Sequence, residues 1–117
     1  MSLEKLDLTV GQWYYLSVYN ALSSPGTFSL CANDQIPELT NKNNWCSALA
    51  AYSTVNASTE GPSSTCGGSG QAKSWFKFQA ATPYIKLDAK TGGSEGTITY
   101  PEMTLWNPDL TAVTCRD

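Results

Sequence analysis

The chain contains no histidine. That excludes Ser-His-Asp and Cys-His arrangements and removes the side chain that most readily shuttles protons near neutral pH. Charge is also scarce: Asp, Glu, Lys and Arg make up 15% of the residues, against about 25% in ordinary soluble domains. The cations Lys5, Lys42, Lys73, Lys77, Lys86, Lys90 and Arg116 are scattered through a chain of net charge −3. Phosphate binding needs several cations on one face, so nucleic acid is not an expected partner. No apolar run approaches the roughly 20 residues of a membrane-spanning helix, and none resembles the hydrophobic region of a signal peptide. No Cys-x-x-Cys motif occurs, so neither zinc nor any other cofactor is expected.

The missing charge is replaced by Ser, Thr, Asn and Gly, while β-branched and aromatic residues are plentiful. Such usage suits pleated strands and turns better than helices. The 117 residues suffice for one core that buries roughly two-thirds of the unfolded surface. The expectation is a single domain over residues 1–117. Its opening, Met1-Ser2-Leu3, reads as an added start, with any export signal or neighbouring domain lying beyond it.

Strand-like segments recur every eight to twelve residues or so between Gly, Pro, Asn and Asp, the spacing of a sandwich or barrel. In Trp13 to Tyr19, residues Tyr14, Leu16 and Val18 share one face and Trp13, Tyr15, Ser17 and Tyr19 the other, as expected of a central strand. A turn at Ser23-Ser24-Pro25-Gly26 leads into Thr27 to Ala32, where Phe28 and Leu30 repeat at period two. Residues 1–32 therefore read as an aromatic hairpin, 33–44 as a polar connection and 45–117 as the remainder of the sandwich. Cys46 to Tyr52 could pass for a helical turn, but Tyr52 to Ala57 reverts to strand-like Val and Thr usage, which weighs against a helix there, and Glu60 to Gly70 is a Gly- and Pro-broken loop. Ser74 to Ala80, Tyr84 to Leu87, Thr97 to Tyr100, Met103 to Trp106 and Val113 to Cys115 follow as strands. The fold class is all-β, an antiparallel, jelly-roll-like sandwich of about eight short strands stabilised by disulfides.

Four cysteines, Cys31, Cys46, Cys66 and Cys115, make an even set in a turn-rich chain, which favours an oxidising compartment and leaves three pairings open. Cys46 and Cys66 bracket a loop of about 20 residues whose closure would restrict the unfolded chain by roughly 3 kcal/mol. That bridge is the expected one, with Cys31 and Cys115 left to each other.

Gly11-x-Trp13-Tyr14-Tyr15-Leu16-Ser17-Val18 followed by Gly26-Thr27-Phe28-Ser29-Leu30-Cys31 resembles the closing segment of a bacterial pre-peptidase C-terminal type domain. Ser74-Trp75-Phe76-Lys77-Phe78-Gln79-Ala80 is similar to that family's core strand. Pro101-Glu102-Met103-Thr104-Leu105-Trp106-Asn107 is similar to its Leu-x-Leu-aromatic-Asp strand, with Asn107 where an acidic residue is usual. The matches cover about two-thirds of the chain but run in the reverse order. The chain is then either a permuted module completed by its own first hairpin or a piece straddling two repeats, with permutation preferred, since a sandwich missing its last strands exposes an unpaired edge. Such repeats occur in secreted and surface-anchored proteins of gliding bacteria, exported proteases and polysaccharide-degrading enzymes. The resemblance implies an accessory adhesion, targeting or spacer role outside the cell, and it carries over no catalytic residue.

Among candidate sites, ten acidic residues offer no local carboxylate pair for glycosidic hydrolysis. Asp34, Glu38, Asp109 and Asp117 lack an Asp-x-Asp-x-Asp-Gly loop and read as solvated charge rather than calcium ligands. Asn56-Ala57-Ser58 fits the glycosylation acceptor pattern, without consequence in a bacterial protein. Aromatics are the stronger candidates. Trp45, within Asn41-Lys42-Asn43-Asn44-Trp45, and Trp106, beside Asn107-Pro108-Asp109, lie nearest to polar turns, where an exposed indole would serve as a stacking platform for sugar. The competing reading packs Trp45 over the Cys46 bridge and makes Trp106 a cap on the sandwich. The function expected is a non-catalytic interaction, adhesion or spacer module of a larger exported protein, with a carbohydrate-binding module as the alternative. Its partners would be an extracellular polysaccharide or a surface protein. The chain itself is expected to be a monomer, with a strand-swapped dimer as the other outcome.

Overall fold

The computed structural model describes residues 2–20, 25–33, 44–55, 57, 62 and 72–116. Among these the chain is all-β, with nine strands: β1 (Ser2–Lys5), β2 (Trp13–Asn20), β3 (Thr27–Asn33), β4 (Asn44–Cys46), β5 (Tyr52–Ser53), β6 (Ser74–Gln79), β7 (Ile85–Lys90), β8 (Pro101–Trp106) and β9 (Ala112–Arg116). A single 3₁₀ turn occupies Gly93–Glu95. Every ladder is antiparallel. One sheet runs β1-β7-β3-β4, with β5 continuing the β4 side of β3, and the other runs β6-β2-β8-β9. The two sheets pack face to face as a sandwich.

Period-two alternation determines the interior. Tyr14, Leu16 and Val18 of β2, with Met103 and Leu105 of β8, face Phe28 and Leu30 of β3 and Ile85, Leu87 and Ala89 of β7, and all of them are buried. At about 25 cal/mol per Å² of apolar surface removed from water, this shared face is the main stabilising term. Tyr14 and Phe78 stack with centroids 5.8 Å apart, and Phe28 meets Phe76 edge-on at 6.1 Å across the two layers.

The expected hairpin of residues 1–32 does not form. β2 pairs with β6 and β8 in one sheet, whereas β3 pairs with β7, β4 and β5 in the other. Each strand has an apolar face, Tyr14, Leu16 and Val18 on β2 and Phe28 and Leu30 on β3, and the two faces are buried against one another across the interior instead of side by side. β2 is nevertheless central, as its two-sided pattern predicts, with Ser17 and Tyr19 of its second face also buried. Thr97 to Tyr100 is not a strand. The amides of Thr97 and Ile98 both donate to the Thr27 carbonyl, and Tyr100 N–H donates to Asn20 Oδ1, so this segment is satisfied outside any ladder. After Cys46, Ser47 N–H donates to the Leu30 carbonyl and Thr54 N–H to that of Gly26, tying this stretch to β3.

The cysteine pairing also differs. Cys31 is bonded to Cys46, not to Cys115. The β3–β4 ladder sets these two directly opposite one another with Cα atoms 4.0 Å apart, the short approach of a cross-strand pair. Cys115 is disulfide-bonded as well, while Cys66 lies outside the described residues. So do most of the 33–44 connection and of the 60–70 loop, Asn56 and Ser58, and the acidic residues Asp34, Glu38 and Asp117.

Candidate functional site: an apolar cleft at one open edge of the sandwich

Burial fades across both sheets toward the same side. In the first sheet, one cross-strand row runs Leu3, Leu87, Ala32, Trp45. Leu3 and Leu87 are buried, Ala32 is half-buried, and Trp45 is 50% exposed. In the second sheet the row Leu105, Leu16, Phe76 passes from fully buried to half-buried. Along the opposite side, β1 and β9 approach one another and close the sandwich.

Between the two fading edges lies a cleft of about 640 Å³, lined by Leu16, Leu30, Ala32, Phe76, Phe78 and Leu87 and flanked by Trp45. The size falls within the usual range of ligand sites. One end is bounded by Tyr52 of β5 reaching over to Phe76 of β6, rings edge-to-face at 4.7 Å. Leu8 and the Ala80–Ile85 segment bound the other. Leu8 is fixed there by its N–H donating to the Pro83 carbonyl at 2.9 Å, and Ala80 by donating to the Gln12 carbonyl and accepting from the Gly11 N–H.

Trp45 owes its place to β4. This strand has only three residues, too few for ladder bonds alone to hold it, and the Cys31–Cys46 bridge clamps it to β3 one position away from the indole. Half of Trp45 remains open to solvent. Trp106 is different. It is 2% exposed, stacks obliquely on Trp75 at 5.8 Å, and donates its Nε1–H to Ser17 Oγ at 3.0 Å. A buried indole has no face for a sugar ring, so Trp106 is not a platform.

The outer face of the second sheet presents a smaller aromatic group. Trp13 is 47% exposed, and the Lys77 ammonium sits 5.3 Å from its ring centre, a cation–π contact. Tyr15 lies opposite Lys77, and Trp75 is half-buried nearby. Sequence reasoning missed Trp13 and Lys77 because it looked for aromatics next to polar turns. The available signal was their parity, since both point away from the Leu16 and Phe76 face.

Asp109 is engaged locally, not poised for a metal. Its Oδ1 accepts from the Thr111 hydroxyl at 2.7 Å and from the Thr111 amide at 3.1 Å, and these bonds hold its carboxyl below the ordinary 3.8. No group of three potential ligating side chains occurs among the described residues, and none of their helices is long and apolar enough to cross a membrane. No family model, curated protein or solved structure matches this chain.

Proposed function

We propose that the chain is a non-catalytic interaction module of an exported or cell-surface protein, and that it engages its partner at the open edge between β4 and β6. One observation carries this reading: apolar residues that line the core elsewhere run out at this edge into a half-exposed Trp45 and half-buried Phe76. Apolar surface left open in this way characterises interaction sites. The lack of histidine supports a binding role over a catalytic one. The Cys31–Cys46 bond supports an oxidising location outside the cytoplasm. The resemblance of the Trp13 to Cys31 and Ser74 to Ala80 segments to pre-peptidase C-terminal type repeats fits an accessory module of a larger protein.

A carbohydrate-binding role is the second reading, favoured by the exposed Trp13 with Lys77 and Tyr15 on the outer sheet face. The two readings assign binding to different aromatics. Beads coated with the protein are tested for adhesion to one another and to bacterial cells, alongside titration with a panel of soluble polysaccharides. Adhesion that falls with Trp45→Ala and survives Trp13→Ala supports the protein-interaction reading. Polysaccharide binding lost with Trp13→Ala and kept with Trp45→Ala replaces it with the carbohydrate one.

A further inference from the structure

The partner that best fits this edge is a second copy of the chain. Among the described residues β6 pairs only with β2, so its other side offers free backbone donors and acceptors along Ser74–Gln79. An unpaired edge of six residues is a template for strand addition. Most edge strands are protected by an awkwardly placed charge. Here the charge selects a register instead.

In a two-fold antiparallel pairing of β6 with itself, each sandwich keeps its apolar side toward the same layer only if residues of equal parity face each other. Two registers satisfy that condition and pair five of the six β6 residues. Centring on Lys77 sets Lys77 directly against its own copy. That opposes like charges, which destabilises a cross-strand pair. Centring on Phe76 is free of this fault. It places Phe76 against Phe76 on the inner side and, twice over, Trp75 against Lys77 on the outer side. Those are an aromatic pair and two cation–π pairs, each of a kind that stabilises adjacent strands. The self-complementary contact is what a closed two-fold dimer requires.

Resting on the reading of the β4–β6 edge as the contact site, we infer that the chain forms a symmetric dimer through antiparallel β6–β6 pairing centred on Phe76. The two four-stranded sheets then become one continuous eight-stranded sheet, and the half-buried Phe76 and Phe78 rings of each copy are covered at the joint.

Sedimentation equilibrium of the full chain measures the association. Trp75→Lys opposes lysine to Lys77 of the second copy at two places and should raise the dissociation constant about tenfold or more. The double variant Trp75→Lys with Lys77→Glu restores an opposite-charge pair in the same register and should bring the dimer back. Hydrogen exchange on the unaltered protein supplies a readout that needs no variant: amides of Trp75 to Phe78 that face the free edge gain protection as concentration rises. The inference is overturned by a wild-type chain that stays monomeric throughout, by a dimer indifferent to Trp75→Lys, by failure of the double variant to re-associate, or by β6 exchange independent of concentration. A monomer whose bead-to-cell adhesion still depends on Trp45 removes the dimer alone and leaves the interaction reading standing.

Discussion

The indole N–H of Trp106 donates to the Ser17 hydroxyl across 3.0 Å, and both side chains are buried on the side of the second sheet that faces away from the sandwich interior. An indole nitrogen has a donor and no acceptor, so Ser17 is its means of satisfaction there.

Ser17→Ala therefore leaves a buried donor unpaired, at an expected cost of about 1–3 kcal/mol. The bead-adhesion and polysaccharide measurements should not change, because neither residue is open to a ligand. Urea unfolding checks the first expectation. A loss of polysaccharide binding in a fully folded Ser17→Ala protein would return Trp106 to the list of ligand contacts.

The Cys31–Cys46 bond closes a sequence separation of 15, worth about 3 kcal/mol in the chain-entropy model. Replacing both cysteines by serine should lower stability by up to that amount. The more specific expectation concerns Trp45, since β4 has only three residues to hold it. Without the bridge, the Trp45 amide should exchange faster than amides of β2 or β8, and Trp45-dependent adhesion should fall even below the unfolding transition. Unchanged exchange at Trp45 would mean that the ladder holds β4 unaided.

These two residue pairs also show what was and was not legible beforehand. Alternation in Trp13 to Tyr19 and Ser74 to Ala80 reveals strands and faces because the pleat has period two. It is silent about which strand lies beside which, and so β2 and β3 have the pattern of a hairpin although they occupy opposite sheets. β1 went unseen because Ser2-Leu3-Glu4-Lys5 has little pattern of its own and is a strand through its pairing with β7, Leu3 opposite Leu87. Loop length suggested the Cys46–Cys66 bridge, but the Cys31 opposite Cys46 register is a long-range property with no local signature. Trp45 and Trp106 both flank polar turns. Only the sheet order separates them, since β8 is central and β4 is an edge.

Asp109 supplies a pH dependence. The Thr111 hydroxyl and amide hold its carboxyl below 3.8 in the folded chain. As pH falls past 3.8, the unfolded chain takes up the proton first, so it binds more protons than the folded one and stability declines until the lowered folded value is passed. The contribution is fully present above 3.8 and gone below that window. Asp109→Asn should flatten this part of the acid limb and leave the profile above pH 5 or so unchanged. Thermal unfolding across the acid range, wild type against variant, checks it. Identical acid limbs would show that the Thr111 bonds have no energetic consequence.

The 3₁₀ turn at Gly93–Glu95 is held against the start of β3 by a close approach of backbone to backbone. A Cβ placed on Gly96 would lie 2.3 Å from the Thr27 carbonyl oxygen and 2.7 Å from the Phe28 Cα. Neither atom is the end of a flexible side chain, so relief requires moving the strand that carries Phe28, a fully buried ring of the core. Gly96→Ala should cost about 3 kcal/mol or more. Gly93→Ala is the control. Its φ of +54° is unfavourable for alanine, but the space around it is open, so only the left-handed backbone penalty of about 1–2 kcal/mol applies. Equal losses in the two variants would mean that the turn lifts freely from β3. A loss at Gly96 clearly exceeding that at Gly93 would establish the contact as part of the core that backs the cleft.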